Sequence, residues 1–294
     1  MRLGTNLTLA SPVVAASGTY GYGDEIGDLA DIFALGALVT PTLTVQARAG
    51  SPMPRTAETS AGLLHALGLP NPGLAAFLAD RFPRLQALAC PVIVSIRGET
   101  LDEWRELASS LTAAGAAGLE LNLTRISLEG ETSILREIGE VIRVVRAVSA
   151  LTVIAKLPAA NVEIGAAASV AVAAGADVIA VSQGFPGVAV RLSSRKFRLP
   201  GVSGAVSGPC IKPLALYQIW RVAQAVECPI LGSGGIMTGE DALEFLAAGA
   251  SAVAVGVASC IHPNAIARIT AEIAAYLVAH KLAGPAGIVG AALR

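Results

Sequence analysis

Two glycine turns near the C-terminus are spaced to hold an anion. Gly232-Ser-Gly-Gly-Ile236 and Val255-Gly-Val257 each follow a short apolar run. Glycines let backbone N–H groups approach phosphate oxygens, and the helix start that follows favours negative charge. A phosphorylated substrate or a flavin mononucleotide would both fit such a pair of turns. His65 stands alone in a Leu-rich run, a setting that suits a packed helix or core residue as well as an acid–base group. Cys90, Cys210, Cys228 and Cys260 are scattered in apolar stretches, and no Cys-x-x-Cys occurs. His262 and His280 have no ligand-like spacing with any of them, so no zinc or iron–sulfur site is expected on this chain.

The elements that must position these groups repeat along the chain. Eight short apolar runs read as strands: Pro12–Ala15, Ala37–Val39, Val92–Ser95, Gly118–Leu123, Thr152–Leu157, Asp177–Ser182, Pro229–Gly232 and Ala252–Gly256. Helices are predicted over 101–114, 133–149, 163–174, 210–226, 239–248 and 263–279. Continuous apolar strands are buried on both faces, as in parallel sheets covered by helices. The phrase Ala-Gly-Ala recurs at 114–116, 174–176 and 248–250, just before a strand each time, where Gly suits a helix C-cap. Eight such units in one chain of this length predict a single α/β domain over residues 1–294, a (β/α)8 TIM barrel. An open doubly wound sheet is the other option, but no Gly-x-Gly-x-x-Gly follows the first strand. Residues 41–73, rich in Pro, Gly, Thr and Ser, break the rhythm. Leaving the C-terminal end of a strand, this insertion is expected over the C-terminal face, where barrel active sites lie.

Composition excludes several classes. The 294 residues are 53% hydrophobic and 15% charged, with a formal net charge of -1. That is too apolar for disorder, and there is no excess of Lys and Arg to neutralise nucleic-acid phosphates. Two stretches are nearly free of charge, Ile164–Val190 and Phe245–Ala267. Both are punctuated by glycine and dominated by alanine, so each reads as helix, turn and strand rather than a membrane span. The N-terminus has no basic region followed by an apolar one, so no secretory signal is visible and a cytoplasmic protein is expected.

Seven segments together resemble the class 1 dihydroorotate dehydrogenases, over nearly the whole chain. They are ASGTYGYG from Ala16, GSPMPRTAETSAGLLHALGLPNPG from Gly50, LELN from Leu119, AKL from Ala155, SGPCIKPLAL from Ser207, PILGSGGI from Pro229 and AGASAVAVGVA from Ala248. The resemblance implies an FMN-dependent barrel of pyrimidine synthesis. It would place the FMN phosphate on backbone N–H groups around Gly234, Gly235, Gly256 and Val257, and the flavin near Ala16, Ser17 and Gly18 and near Ser207 and Gly208. Lys156 matches a lysine that contacts the flavin ring, where a cation stabilises the anionic reduced flavin; otherwise it would partner a buried carboxylate. Asn122 matches an asparagine at flavin and substrate. A homodimer, or pairing with a separate electron-transfer subunit, is implied, with a small-molecule substrate.

The pattern departs from the family at the substrate end. Arg125 stands where the family carries its Cys or Ser base, in Leu121-Asn-Leu-Thr-Arg-Ile-Ser127. A guanidinium stays protonated and cannot act as a base near neutral pH. Pro41 replaces a flavin-contacting lysine. His65, Ser127 and Ser182 stand at substrate asparagines, and Ala159-Ala160 replaces a Pro-Asn pair. Three readings follow. The first is an FMN oxidoreductase acting on CH–CH groups of a substrate other than dihydroorotate, with Arg125 binding a carboxylate and His65 as acid–base group. The second is a catalytically inactive barrel that binds FMN or a phosphorylated ligand as a subunit or regulatory protein. The third is a dihydroorotate dehydrogenase with a relocated base.

Overall fold

Eight short parallel strands close on themselves in the computed structural model, which describes residues 1–23, 25, 30–124, 130–181 and 183–294. They are β1 (Val13–Ala15), β2 (Leu38–Val39), β3 (Val92–Ile96), β4 (Gly118–Asn122), β5 (Thr152–Lys156), β6 (Val178–Val181), β7 (Ile230–Ser233) and β8 (Ala252–Val255). Each pairs with its neighbours in sequence, and β8 pairs with β1. The predicted (β/α)8 barrel is therefore present, with each strand where its apolar run lies.

Seven α-helices bear on the argument: α1 (Leu101–Ala114), α2 (Glu131–Arg146), α3 (Ile164–Ala173), α4 (Lys212–Ala225), α5 (Gly239–Ala247), α6 (Val257–Ile261) and α7 (Ala265–Ala279). Local chemistry sets their ends. The Thr100 hydroxyl accepts from the Glu103 N–H at the start of α1, and Thr238 and Asp241 form a reciprocal capping box at the start of α5. The three Ala-Gly-Ala phrases put Gly115, Gly175 and Gly249 at φ 85, 106 and 119, where L side chains are strained. The helix expected over 263–279 is the single helix Ala265–Ala279; a short helix that was not expected, Val257–Ile261, precedes it, and Pro263 between the two has no N–H to continue the first. The helix expected over 133–149 starts two residues early and ends at Arg146. Its guanidinium there donates to the carbonyls of Ser149, Leu151 and Gly175. No helix among the described residues is long and apolar enough to cross a membrane.

Strand alternation splits the core in two. Leu119, Leu121, Val153 and Ala155 face outward into the helix layer. Val14, Ile93, Ile154, Val178, Leu231 and Ala252 face inward. An N-terminal hairpin, Arg2–Leu3 with Leu7–Thr8, adds Leu3 and Leu7 to the inner cluster. Asn6 N–H donates to Thr152 Oγ1 at the start of β5, so the hairpin closes the N-terminal end of the barrel. Functional polar groups are left to the opposite end.

A four-stranded antiparallel sheet was not foreseen. Its order is Phe185–Val188, Ser203–Ser207, Gly62–His65 and Thr56–Thr59. It joins the 41–73 segment to the excursion that follows β6. The segment does not leave the barrel at once: Leu43 N–H donates to Ser95 O, and Arg97 N–H to Leu43 O, extending the β2–β3 pairing past Pro41.

Candidate functional site

Inward-facing polar residues gather at the C-terminal ends of the central strands. Ser95 follows Ile93 by two on β3, and Glu120 and Asn122 alternate with the outward leucines of β4. A hydroxyl–amide chain links β3, β4 and the segment that follows β2. Asn122 Nδ2 donates to Thr42 Oγ1 at 3.0 Å, and Thr42 Oγ1 lies 3.0 Å from Ser95 Oγ. Thr124 donates its hydroxyl to Asn122 Oδ1. The Asn122 amide is thus fixed in rotation, because both its ends are used.

Lys156 sits directly across the β4–β5 ladder from Asn122. Its Nζ lies 3.4 Å from Glu120 Oε1, with the side chains 15% and 3% exposed respectively. Lys156 therefore has the buried carboxylate partner that was one of its two expected roles. Glu120 is a functional candidate that the sequence reading passed over. Its signal was a carboxylate inside an otherwise apolar strand, two residues before Asn122 and so on the same face.

His65 reaches this region on the antiparallel sheet. It pairs with Ala205 on one side and Thr56 on the other. Its Nε2 lies 2.9 Å from Ser207 Oγ, which joins two of the predicted site residues. Burial, and then the charge of Lys156, hold the imidazole below its ordinary pKa of 6.5, so it is neutral at pH 7. Close backbone approach fixes this arrangement. A Cβ on Gly62 would lie 2.3 Å from Ser207 O, and one on Gly208 2.8 Å from Gly62 Cα.

The remaining predicted residues surround the same end of the barrel. Ala16, Ser17 and Gly18 leave β1, with Ser17 Oγ donating to Thr40 O at 2.8 Å. Gly234 and Gly235 follow β7, and Gly256 and Val257 follow β8. These four N–H groups make no backbone hydrogen bond to the described residues. Open donors on two neighbouring strand ends fit an anionic group such as the phosphate of FMN. Gly235 has a packing reason as well: a Cβ there would lie 2.7 Å from the Lys212 nitrogen at the start of α4. Arg125, Ser127 and Ser182 lie outside the described residues.

Comparison with known proteins agrees with this geometry. The family model for dihydroorotate dehydrogenase matches residues 4–277. A protein of Desulforudis audaxviator named dihydroorotate dehydrogenase B (NAD(+)), catalytic subunit, is 43% identical over 98% of this chain and 95% of its own length. Proteins of the same name from Citrifermentans bemidjiense and Geobacter sp. are 40% and 39% identical, each over 97% of this chain and 95% of theirs.

Proposed function

Because the chain belongs to the dihydroorotate dehydrogenase family, with FMN as that family's cofactor, we propose that it is an FMN-dependent oxidoreductase acting on CH–CH groups of a substrate other than dihydroorotate. The observation that carries this reading is the neutral His65 held by Ser207 beside Lys156, in a chain whose family base position is Arg125. The acid–base group is present, but on a different element from the family's own.

Bound FMN supplies a hydride acceptor. The chain's own residues do the rest. Open N–H groups of Gly234, Gly235, Gly256 and Val257 bind the phosphate, while Ala16, Ser17, Gly18, Ser207 and Gly208 line the ring. Lys156 places positive charge where the reduced ring becomes anionic. Asn122, locked by Thr42 and Thr124, orients ring and substrate. The neutral His65 imidazole takes a proton from the substrate carbon next to the one that loses hydride. A neutral imidazole can do this near pH 7 and a guanidinium cannot. Arg125 binds a substrate carboxylate, and Ser127 and Ser182 supply polar contacts in place of the family asparagines.

The 41–73 segment forms a cover over the C-terminal face of a single domain. The relatives are named catalytic subunits of an NAD(+)-linked enzyme. On this proposal the chain passes electrons to a separate electron-transfer subunit and is a homodimer in the cytoplasm. The visible spectrum of the purified protein tests the reading. Flavin bands near one per chain, bleached anaerobically by a small CH–CH substrate, support it. A colourless protein that takes up no added FMN overturns it.

A further inference from the structure

Among the ion pairs of the described residues, Glu120 has the least exposed carboxylate, and its partner is Lys156 of the candidate site. A buried carboxylate needs a partner, since leaving it alone in a desolvated site is costly. Strand geometry makes this pairing specific. Glu120 registers with Ile154 and Asn122 with Lys156, so the lysine must lean back one rung along the barrel axis to meet the carboxylate. In doing so it keeps its ammonium inside the barrel mouth beside His65, whose protonation Lys156 disfavours. The carboxylate also offsets the ammonium's charge at short range.

We infer that Glu120 is a positioning residue for the cofactor: it fixes the Lys156 ammonium at the ring end of the site and sets how much positive charge the flavin experiences. The inference rests on the reading that Lys156 faces the flavin. Removing the carboxylate's charge while keeping its shape should therefore leave the lysine in place and unmask it.

Sulfite binding to the oxidised FMN-loaded protein reads this charge without turnover. Sulfite donates its sulfur lone pair to flavin N5, and negative charge accumulates at the far edge of the ring, where a nearby cation stabilises it. Glu120→Gln should bind sulfite about tenfold more tightly, the order expected for unmasking one charge at an effective dielectric near 20. The flavin midpoint potential should move positive with it. Lys156→Met should weaken sulfite binding and move the potential negative. In the double variant Glu120→Gln/Lys156→Met the pair is removed as a unit, and sulfite affinity should return toward that of the parent protein. That double variant also keeps the test open if Glu120→Gln alone does not fold, because a neutral pair is better tolerated than one bare charge.

A purely structural Glu120 would alter melting temperature but not sulfite affinity. If Lys156→Met shifts sulfite affinity while Glu120→Gln leaves it unchanged, or the double variant matches Lys156→Met, the inference is overturned. If neither Lys156→Met nor Glu120→Gln shifts it, Lys156 does not face the flavin, and that underlying reading falls first.

Discussion

The imidazole of His65 and the hydroxyl of Ser207 meet at 2.9 Å across 142 residues of chain. Neither lies on a barrel strand. The antiparallel sheet brings them together, with Ser207 registered against Leu63 and Ala205 against His65. A lone histidine in a leucine-rich run thereby gains a partner beside the barrel's lysine.

This predicts where His65 titrates. Burial, then Lys156, push its pKa below 6.5. An NMR titration of the imidazole should find its midpoint below 6.5, and Lys156→Met should raise it. The sign carries into stability. Below pH 6.5 the unfolded chain takes up a proton that the folded chain refuses, so this group's contribution makes the fold less stable as pH falls. A midpoint above 6.5 in the native protein would contradict the placement.

Asn122 joins Thr42 and Thr124 at the end of β4. Asn122→Leu would leave the buried Thr42 hydroxyl without that donor. The expected cost is about 1–3 kcal/mol in urea unfolding, together with weaker FMN retention. A variant as stable as the parent that still retains FMN would show that the amide is not fixed as described.

Asp241 ties α4 to α5. It accepts from Lys212 Nζ at 2.7 Å and closes the capping box with Thr238. Burial pushes its carboxyl up, but Lys212 and the Met237 N–H outweigh that and hold it below its ordinary 3.8. The resulting stability is present above pH 3.8 and is lost as pH falls through the folded value. Asp241→Asn should cost about 1–2 kcal/mol at pH 7. It should also flatten the acid limb of a stability–pH curve.

Gly115 ends α1 with φ 85 and ψ 36, and a Cβ there would meet only Gln86 Nε2 at 3.6 Å. Space is available, so the backbone conformation alone sets the penalty. Gly115→Ala should cost about 1–2 kcal/mol, and Gly115→Asn less, because Asn tolerates this region. Equal melting temperatures for the two variants would contradict a left-handed cap.

The barrel was legible because its signals are local. Val92–Ser95 and Ala252–Gly256 are apolar runs too short for helices, and Gly115, Gly175 and Gly249 mark the turns before strands. The antiparallel sheet was not legible. Phe185–Val188 and Ser203–Ser207 carry Gly and Pro and lie half in solvent, so they lack a buried-strand pattern, and their pairing with Gly62–His65 is long-range. Asn122 and Lys156 came to notice through the family resemblance, and both end a strand. The site was not readable at Thr42 and Ser95, whose importance comes from a hydrogen-bond chain between β3 and the segment that follows β2. Glu120 was in plain view, but only its alternation with Leu119 and Leu121 tells that it points inward.

On the proposed function, this barrel keeps the flavin chemistry of its family while its substrate end is rewritten around His65 and Arg125. Anaerobic stopped-flow mixing of the FMN-loaded protein with dihydroorotate is the decisive test. The flavin absorbance should stay that of the oxidised form over many seconds. Rapid bleaching of the flavin bands by dihydroorotate would contradict it.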